Sequence, residues 1–195
     1  LADNRNIGYS FGPITDVSVT LNITGTGSGG AANGEFYAYL THGTGFSVLL
    51  NRAGVRSGSS LGYDDNGFSS VTFNDNGANG DVHNYRFQLF GDHTTAINPA
   101  GTPLSGTTGV WAPDGRNISP LSSGAAFDSA SRNALLSSFN GLNMAGEWTL
   151  FVADLSTGGT ATLDSWSLTV TAVPQPRDAA LLAAMAKDGA LVRHG

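Results

Sequence analysis

The side chains best suited to chemistry in this chain are carboxylates and amides crowded into two Gly-rich turns. Asp64-Asp65-Asn66-Gly67 is followed by Asn74-Asp75-Asn76-Gly77-Ala78-Asn79-Gly80-Asp81. Calcium takes about six to eight oxygens from carboxylates, Asn side chains, backbone carbonyls and water, and loops of this composition can wrap it. Asp64, Asp65, Asp75 and Asp81 are therefore candidate calcium ligands, together with Asp154 at the end of an apolar run. The spacing is neither that of an EF-hand loop, which closes on a Glu, nor that of a calcium-binding repeat. Asx-Gly clusters are also what β-turns are made of, because Asn and Asp bond their own backbone and Gly supplies positive φ. Asp154 has the same two readings, as a metal ligand or as an acceptor that holds the next turn.

Catalysis has less support. A hydrolytic triad needs an activated Ser on a strained turn, an orienting acid and an oxyanion hole, and none of the Ser residues is assigned that place. Glycoside hydrolysis needs two carboxyls roughly 5–9 Å apart, and no local pattern singles out a pair. No group is assigned a catalytic role, and a non-enzyme is expected. His83, Tyr85 and Arg86 form a basic and aromatic cluster in a segment, Val82 to Phe90, that reads as a strand. On a strand, His83 and Tyr85 share one face and Arg86 takes the other. That arrangement suits a cross-strand aromatic pair with a satisfied histidine, or a groove for sugar or peptide. Trp111 and Arg116 lie in a long irregular segment with Pro113 and Asp114, where loops tend to carry function. They are candidates for ligand or partner contact, with packing at the open end of the fold as the other reading of Trp111.

Composition narrows the partners. The 195 residues carry a net charge of −6, with nine Lys and Arg that form no cluster, which argues against binding nucleic-acid phosphates. A cation or another protein, including a second copy, is the more natural partner. Charged residues make up 12% of the chain, about half the usual share, while Gly, Ser, Thr and Asn abound, which favours strands and turns over charged helices. There is no Cys, so disulfides and thiol catalysis are excluded. The chain opens with Leu1-Ala2-Asp3-Asn4, without Met or an apolar leader, and reads as a mature or truncated form. The longest apolar run near the C-terminus, Ala179 to Ala186, is far short of the roughly 20 residues of a membrane span.

The elements that must position these residues are mostly strands. In Ile14 to Thr24, Val17, Val19, Leu21 and Ile23 alternate with Ser18, Thr20 and Asn22, the period-2 signal of a strand packed on one face. Phe36 to Leu40 and Phe46 to Leu50 are two more, joined by the turn at 42–45, and Val71 to Phe73, Val82 to Phe90, Trp148 to Ala153 and Trp166 to Thr171 follow. Strands of this number and length make an antiparallel sandwich or barrel. One short helix is expected within Asp128 to Phe139, capped by Asp128 or Ser129, with Leu135, Leu136 and Phe139 inward. Residues 1–172 read as one domain, opened by a free N-terminal extension at 1–11. Residues 173–195 read as a tail that is either a short amphipathic helix or frayed.

Gly146 to Val170 carries the most specific pattern. Trp148, Leu150 and Val152 alternate, a Gly158-Gly159 turn follows, and Leu163, Trp166 and Leu168 end the second run, which reads as a hairpin bringing two tryptophans together. The pattern resembles the closing strands of the P domain, the β-sandwich that accompanies the catalytic domain of subtilisin-like proprotein convertases. The resemblance extends over about Asn6 to Val170, through Ile14 to Thr24, Gly34-Glu35-Phe36, Gly62-Tyr63-Asp64-Asp65, Asp81 to Arg86 and Trp111 to Arg116. Glu35 stands where the family usually has Asp, and the turn at 41–45 lacks the family's proline. His42-Gly43-Thr44 looks like the subtilisin histidine motif, but in this alignment it falls in a hairpin turn.

The resemblance implies a jelly-roll-like sandwich, with Asp154 as the family's recurring acid and calcium as an occasional ligand. Val173-Pro174-Gln175-Pro176 is similar to the start of a PEP-CTERM sorting tail, although Gln175 replaces a Glu and the terminal Arg cluster is missing. Together these likenesses imply a stand-alone bacterial exoprotein, secreted or on the cell surface. Its expected function is that of a non-catalytic module that binds or stabilises a partner. The alternative is a structural subunit that assembles on itself through its two ends.

Overall fold

Alternating apolar residues build two facing sheets in the computed structural model, which describes residues 1–26, 30–97, 101–157 and 159–174. In chain order the strands are β1 (Ala2–Ile7), β2 (Ile14–Thr26), β3 (Phe36–His42), β4 (Gly45–Asn51), β5 (Phe68–Phe73), β6 (Leu104–Ser105), β7 (Val110–Trp111), β8 (Gly146–Asp154) and β9 (Thr160–Ala172). One sheet has the order β1-β8-β3-β4. The other runs β6-β5-β2-β9, with β7 also pairing β5. The sandwich expected from the strand pattern is what forms. The second sheet is mixed rather than purely antiparallel, because the two-residue strands β6 and β7 both run parallel to β5.

The core lies between the sheets. Val17, Val19, Leu21 and Ile23 of β2 face Phe36, Ala38 and Leu40 of β3 and Trp148, Leu150 and Val152 of β8, all of them buried. Each Val, Leu or Phe so enclosed contributes about 1.5–3 kcal/mol relative to exposure. The turn between β3 and β4 forms where expected, and Gly43 there has φ 56.

Several expectations are corrected. The stretch from Gly146 to Val170 is not a hairpin. β8 lies between β1 and β3 in one sheet, while β9 pairs with β2 along most of its length in the other. Since β8 already has a neighbour on each side, β9 has no edge of it to pair with, and the chain arches across the sandwich. Glycine at 159 serves a close approach: a Cβ there would meet the Gly30 carbonyl oxygen at 1.9 Å. The two tryptophans do not share a hairpin either. Trp148 stacks on His42 with ring centroids 4.0 Å apart, and Trp166 donates its indole N–H to Asp3.

The segment from Val82 to Phe90 is helical, not extended. Residues Val82–Asn84 form a 3-10 turn and Tyr85–Phe90 form α1. Asp81 accepts from the His83 amide at the start, and Gly91, at φ 78, ends the helix with its N–H on the Phe87 carbonyl. The buried positions Val82, His83, Tyr85 and Arg86 follow a helical spacing of three to four, so the cap and the period together override strand propensity.

The second helix, α2 (Gly124–Ser129), starts earlier than expected and is capped by Ser123, which accepts from the Ala126 amide. Only a 3-10 turn, Leu136–Phe139, falls in the latter part of the expected helix, and it buries Leu136 and Phe139. The N-terminal segment is not free: Leu1 donates its N-terminal ammonium to the Val152 carbonyl at 2.9 Å, and β1 pairs with β8 along its whole length. The sorting-tail and helical readings of residues 175–195 lie outside the described residues.

Candidate functional site

The residues singled out for chemistry come together as two buried ionic networks beside the sandwich, and both are anchored on the 3-10 turn and helix of residues 82–90. In the first, His83 and Asp114 approach to 2.7 Å through Nδ1 and Oδ2, and the other ring nitrogen lies 2.9 Å from the Val55 carbonyl. Arg116 donates to the second Asp114 oxygen at 3.1 Å and to Asp81 at 2.8 Å. Arg132 donates to the backbone carbonyls of Pro113 and Asp114. Burial by itself would raise the Asp114 carboxyl, but the hydrogen bond from His83 and the charge of Arg116 outweigh it and hold the group below its ordinary value. Arg116 is shifted up: desolvation works against its charge, and Asp114 and Asp81 more than offset it.

In the second network Arg86 donates to Asp65 at 2.6 Å and also to Asp64. Tyr85 donates its hydroxyl to Asp65 and accepts from the Asn33 amide, while the Ile97 N–H completes the Asp65 shell. The Arg86 guanidinium also lies over the Tyr63 ring at 4.9 Å. Desolvation would lower Arg86, yet its bonds to Asp65 and Asp64 leave it raised. Burial pushes the hydroxyls of Tyr85 and Tyr63 up, Tyr63 to about 12. Asp64 is held low by the bond from Arg86 although its side chain is 86% exposed.

These placements determine what the candidate calcium ligands do. Asp65 is sealed by Arg86 and Tyr85, and Asp81 is bound by Arg116 and the His83 amide. Asp75 accepts from the amides of Leu136 and Ser137 and fixes the start of their 3-10 turn. Asp154 accepts from the Ser156 amide, as a group that holds its own turn. Asn74 accepts from the Asn76 amide, the self-bonded form of an Asx turn. Among the described residues no group of three or more His, Cys, Asp or Glu side chains comes together as a metal centre.

Trp111 and Arg116, the two candidates for ligand or partner contact, are both buried. Trp111 is 0% exposed, its ring edge-to-face with Tyr85 and its indole N–H donated to Thr108, so no ring face is left for a ligand. Arg116 is 8% exposed and committed to Asp81 and Asp114.

A serine in a nucleophile-elbow pattern was missed. Gly58-Ser59-Ser60-Leu61-Gly62 fits Gly-x-Ser-x-Gly by its letters. It lies on an irregular turn rather than between a strand and a helix, as that elbow requires. Among the described residues no His reaches the Ser60 hydroxyl. His42 has its ring nitrogens on the carbonyls of Glu147 and Asn143, His83 on Asp114 and Val55, and His93 meets the Tyr63 hydroxyl.

Comparison with known proteins agrees with this architecture. No curated protein and no solved structure gives a match. Asp114, Arg116 and Arg132 of the first network, α2, β8 and most of β9 lie within a matched stretch, whereas His83, Asp81 and the opening strands that also carry the resemblance lie before it. Residues 112–170 match the family model described as Proprotein convertase P-domain, so this part of the chain is similar to that family.

Proposed function

We propose that this chain is a non-catalytic extracellular accessory module of the P-domain type, which acts by contact with a partner. The observation that carries this reading is the fate of its reactive side chains. His83, Asp114, Arg116, Asp65 and Arg86 are turned inward and bonded to one another, on the stretch that matches the P-domain or packed against it. A catalytic group needs reach to a substrate proton within about 3 Å. These groups instead spend their bonds on holding irregular chain to the sheets. Secretion fits the family match and a chain without thiols.

The test has two arms. The purified chain is assayed against peptide, ester and glycoside substrates, and a subtilisin-like protease domain is melted with and without it. The module reading expects no turnover and a raised melting temperature for the partner. Turnover abolished by His83→Ala or by Ser60→Ala would replace it with an enzymatic one.

A further inference from the structure

Among the described residues, both sheets end in an unpaired strand on the same side of the sandwich. β1 is the last strand of one sheet and β9 the last of the other. The Arg5 guanidinium lies 5.0 Å over the Trp166 ring, and Trp166 donates to Asp3 at 3.0 Å, so the two edges face each other across the open side.

Two hollows of about 310 Å³ each lie between them, one against Ile7 and Leu168, the other against Leu1 and Leu163. The same side carries solvent-exposed apolar groups. Leu1 is 69% exposed, and Tyr9 and Phe11, 61% and 50% exposed, sit on the loop leading from β1 to Pro13, whose carbonyl accepts from Val173 just after β9.

Edge strands are normally blunted by charge, proline, bulges or brevity, because their unpaired backbone groups recruit another strand. β9 is thirteen residues long, has no Pro and carries one charge, Asp164, where the register shifts against β2. From Ser165 to Ala172 it has no charge at all. On β1 the charges of Asp3 and Arg5 pair with each other at 3.3 Å. In a chain of net charge −6 this side is nearly neutral, so a like copy meets little repulsion here.

We infer that a second copy of this chain docks on the β1/β9 side, with β9 antiparallel to its counterpart about a two-fold axis. A single added peptide strand would complete only one sheet. A two-fold copy brings edges of both sheets to the contact at once and covers the apolar hollows, in the self-complementary manner of an isologous dimer. This goes beyond the accessory-module reading, which stands or falls on turnover and partner stabilisation rather than on self-association.

Sedimentation velocity of the full chain over roughly 1–100 µM, the range of a micromolar association, tests it. A reversible monomer–dimer equilibrium is expected. In Ser167→Lys/Thr169→Lys both new side chains start from exposed positions on the outer face of β9. The variant sets like charges near the two-fold axis and is expected to weaken the dimer at least about tenfold, with an unchanged melting temperature. Should that variant melt early, Tyr9→Ser/Phe11→Ser provides the same reading from exposed loop positions. Leu61→Ser/Phe90→Ser, which removes exposed apolar groups elsewhere, is expected to leave the dimer intact. A wild-type chain that stays monomeric throughout, a dimer indifferent to the folded β9 or loop variant, or a dimer lost with Leu61 and Phe90 would each overturn the inference.

Discussion

The His83 ring and the Asp114 carboxylate meet at 2.7 Å with side chains 4% and 0% exposed, and the far ring nitrogen is capped by the Val55 carbonyl. The pair has the composition of a catalytic dyad and the setting of a strut. It joins the 3-10 turn at 82–84 to the segment that enters the P-domain match, and Phe127 of α2 stacks on the imidazole at 5.5 Å. Around it Arg116 and Arg132 fasten the same segment, so four charged or polar side chains replace the regular ladder that this irregular chain lacks.

The second network makes a similar prediction at Arg86. Lysine keeps the charge but cannot donate in the fork that reaches both Asp65 and Asp64 or stack on Tyr63 as guanidinium does. Arg86→Lys is expected to lower unfolding stability by about 1–3 kcal/mol, read from urea denaturation. A variant indistinguishable from the parent would show that the network contributes nothing net.

Acid should weaken the fold through Asp114. Its carboxyl is held below the ordinary value in the folded state. The stability it contributes is therefore present above the unfolded value near 3.8 and is lost as pH falls through the lower folded value. Urea midpoints measured from pH 6 downward are expected to drop below about pH 4. Asp114→Asn is expected to flatten that part of the profile, and an unchanged slope in the variant would assign acid sensitivity to other groups.

Gly77 and Gly159 are positions where backbone passes backbone. A Cβ at 77 would meet the Trp111 carbonyl carbon at 2.2 Å, and one at 159 the Gly30 carbonyl oxygen at 1.9 Å. Neither obstacle is a flexible side chain. Gly77→Ala and Gly159→Ala are each expected to lose about 1–3 kcal/mol, whereas Gly58→Ala, with nothing within 4 Å, has only the strain of its φ of 80 to bear. Melting temperatures rank the three variants, and equal losses would contradict the close approaches.

Calcium is expected to leave the melting temperature nearly unchanged against a chelator, since the candidate carboxylates are spread over separate protein donors. A ligand held only by the folded state at a hundred times its Kd would add about 2.7 kcal/mol. A rise of several degrees at millimolar calcium would therefore reveal a site and reverse this expectation.

The sandwich was legible because β2, β3 and β8 alternate cleanly, as Val17, Val19, Leu21 and Ile23 do along β2. The partner of each strand was not, since period-2 alternation reports which face is buried and not which sheet receives the strand. Trp148 and Trp166 therefore looked like hairpin neighbours although they belong to opposite sheets. The strand read over Val82 to Phe90 had aromatic and apolar residues in its favour. Asp81 as cap, Gly91 as terminator and burial of both Tyr85 and Arg86 carried the decisive local signal. The site residues were found as types but not as roles. Asp65 and Asp81 are ion-pair partners because residues distant in sequence, Arg86 and Arg116, fold onto them. Such pairings leave no trace in local spacing.

The account rests on buried ionic groups serving the fold, and the stability of Asp114→Asn tests that most directly. Removing one partner of a buried charge pair leaves His83 and Arg116 short of their anion, a loss of about 3–5 kcal/mol. Equilibrium urea unfolding at neutral pH should show the variant unfolding cooperatively at a clearly lower midpoint with the same slope. A midpoint equal to that of the parent chain would contradict the account and return Asp114 and its neighbours to the list of groups kept for chemistry.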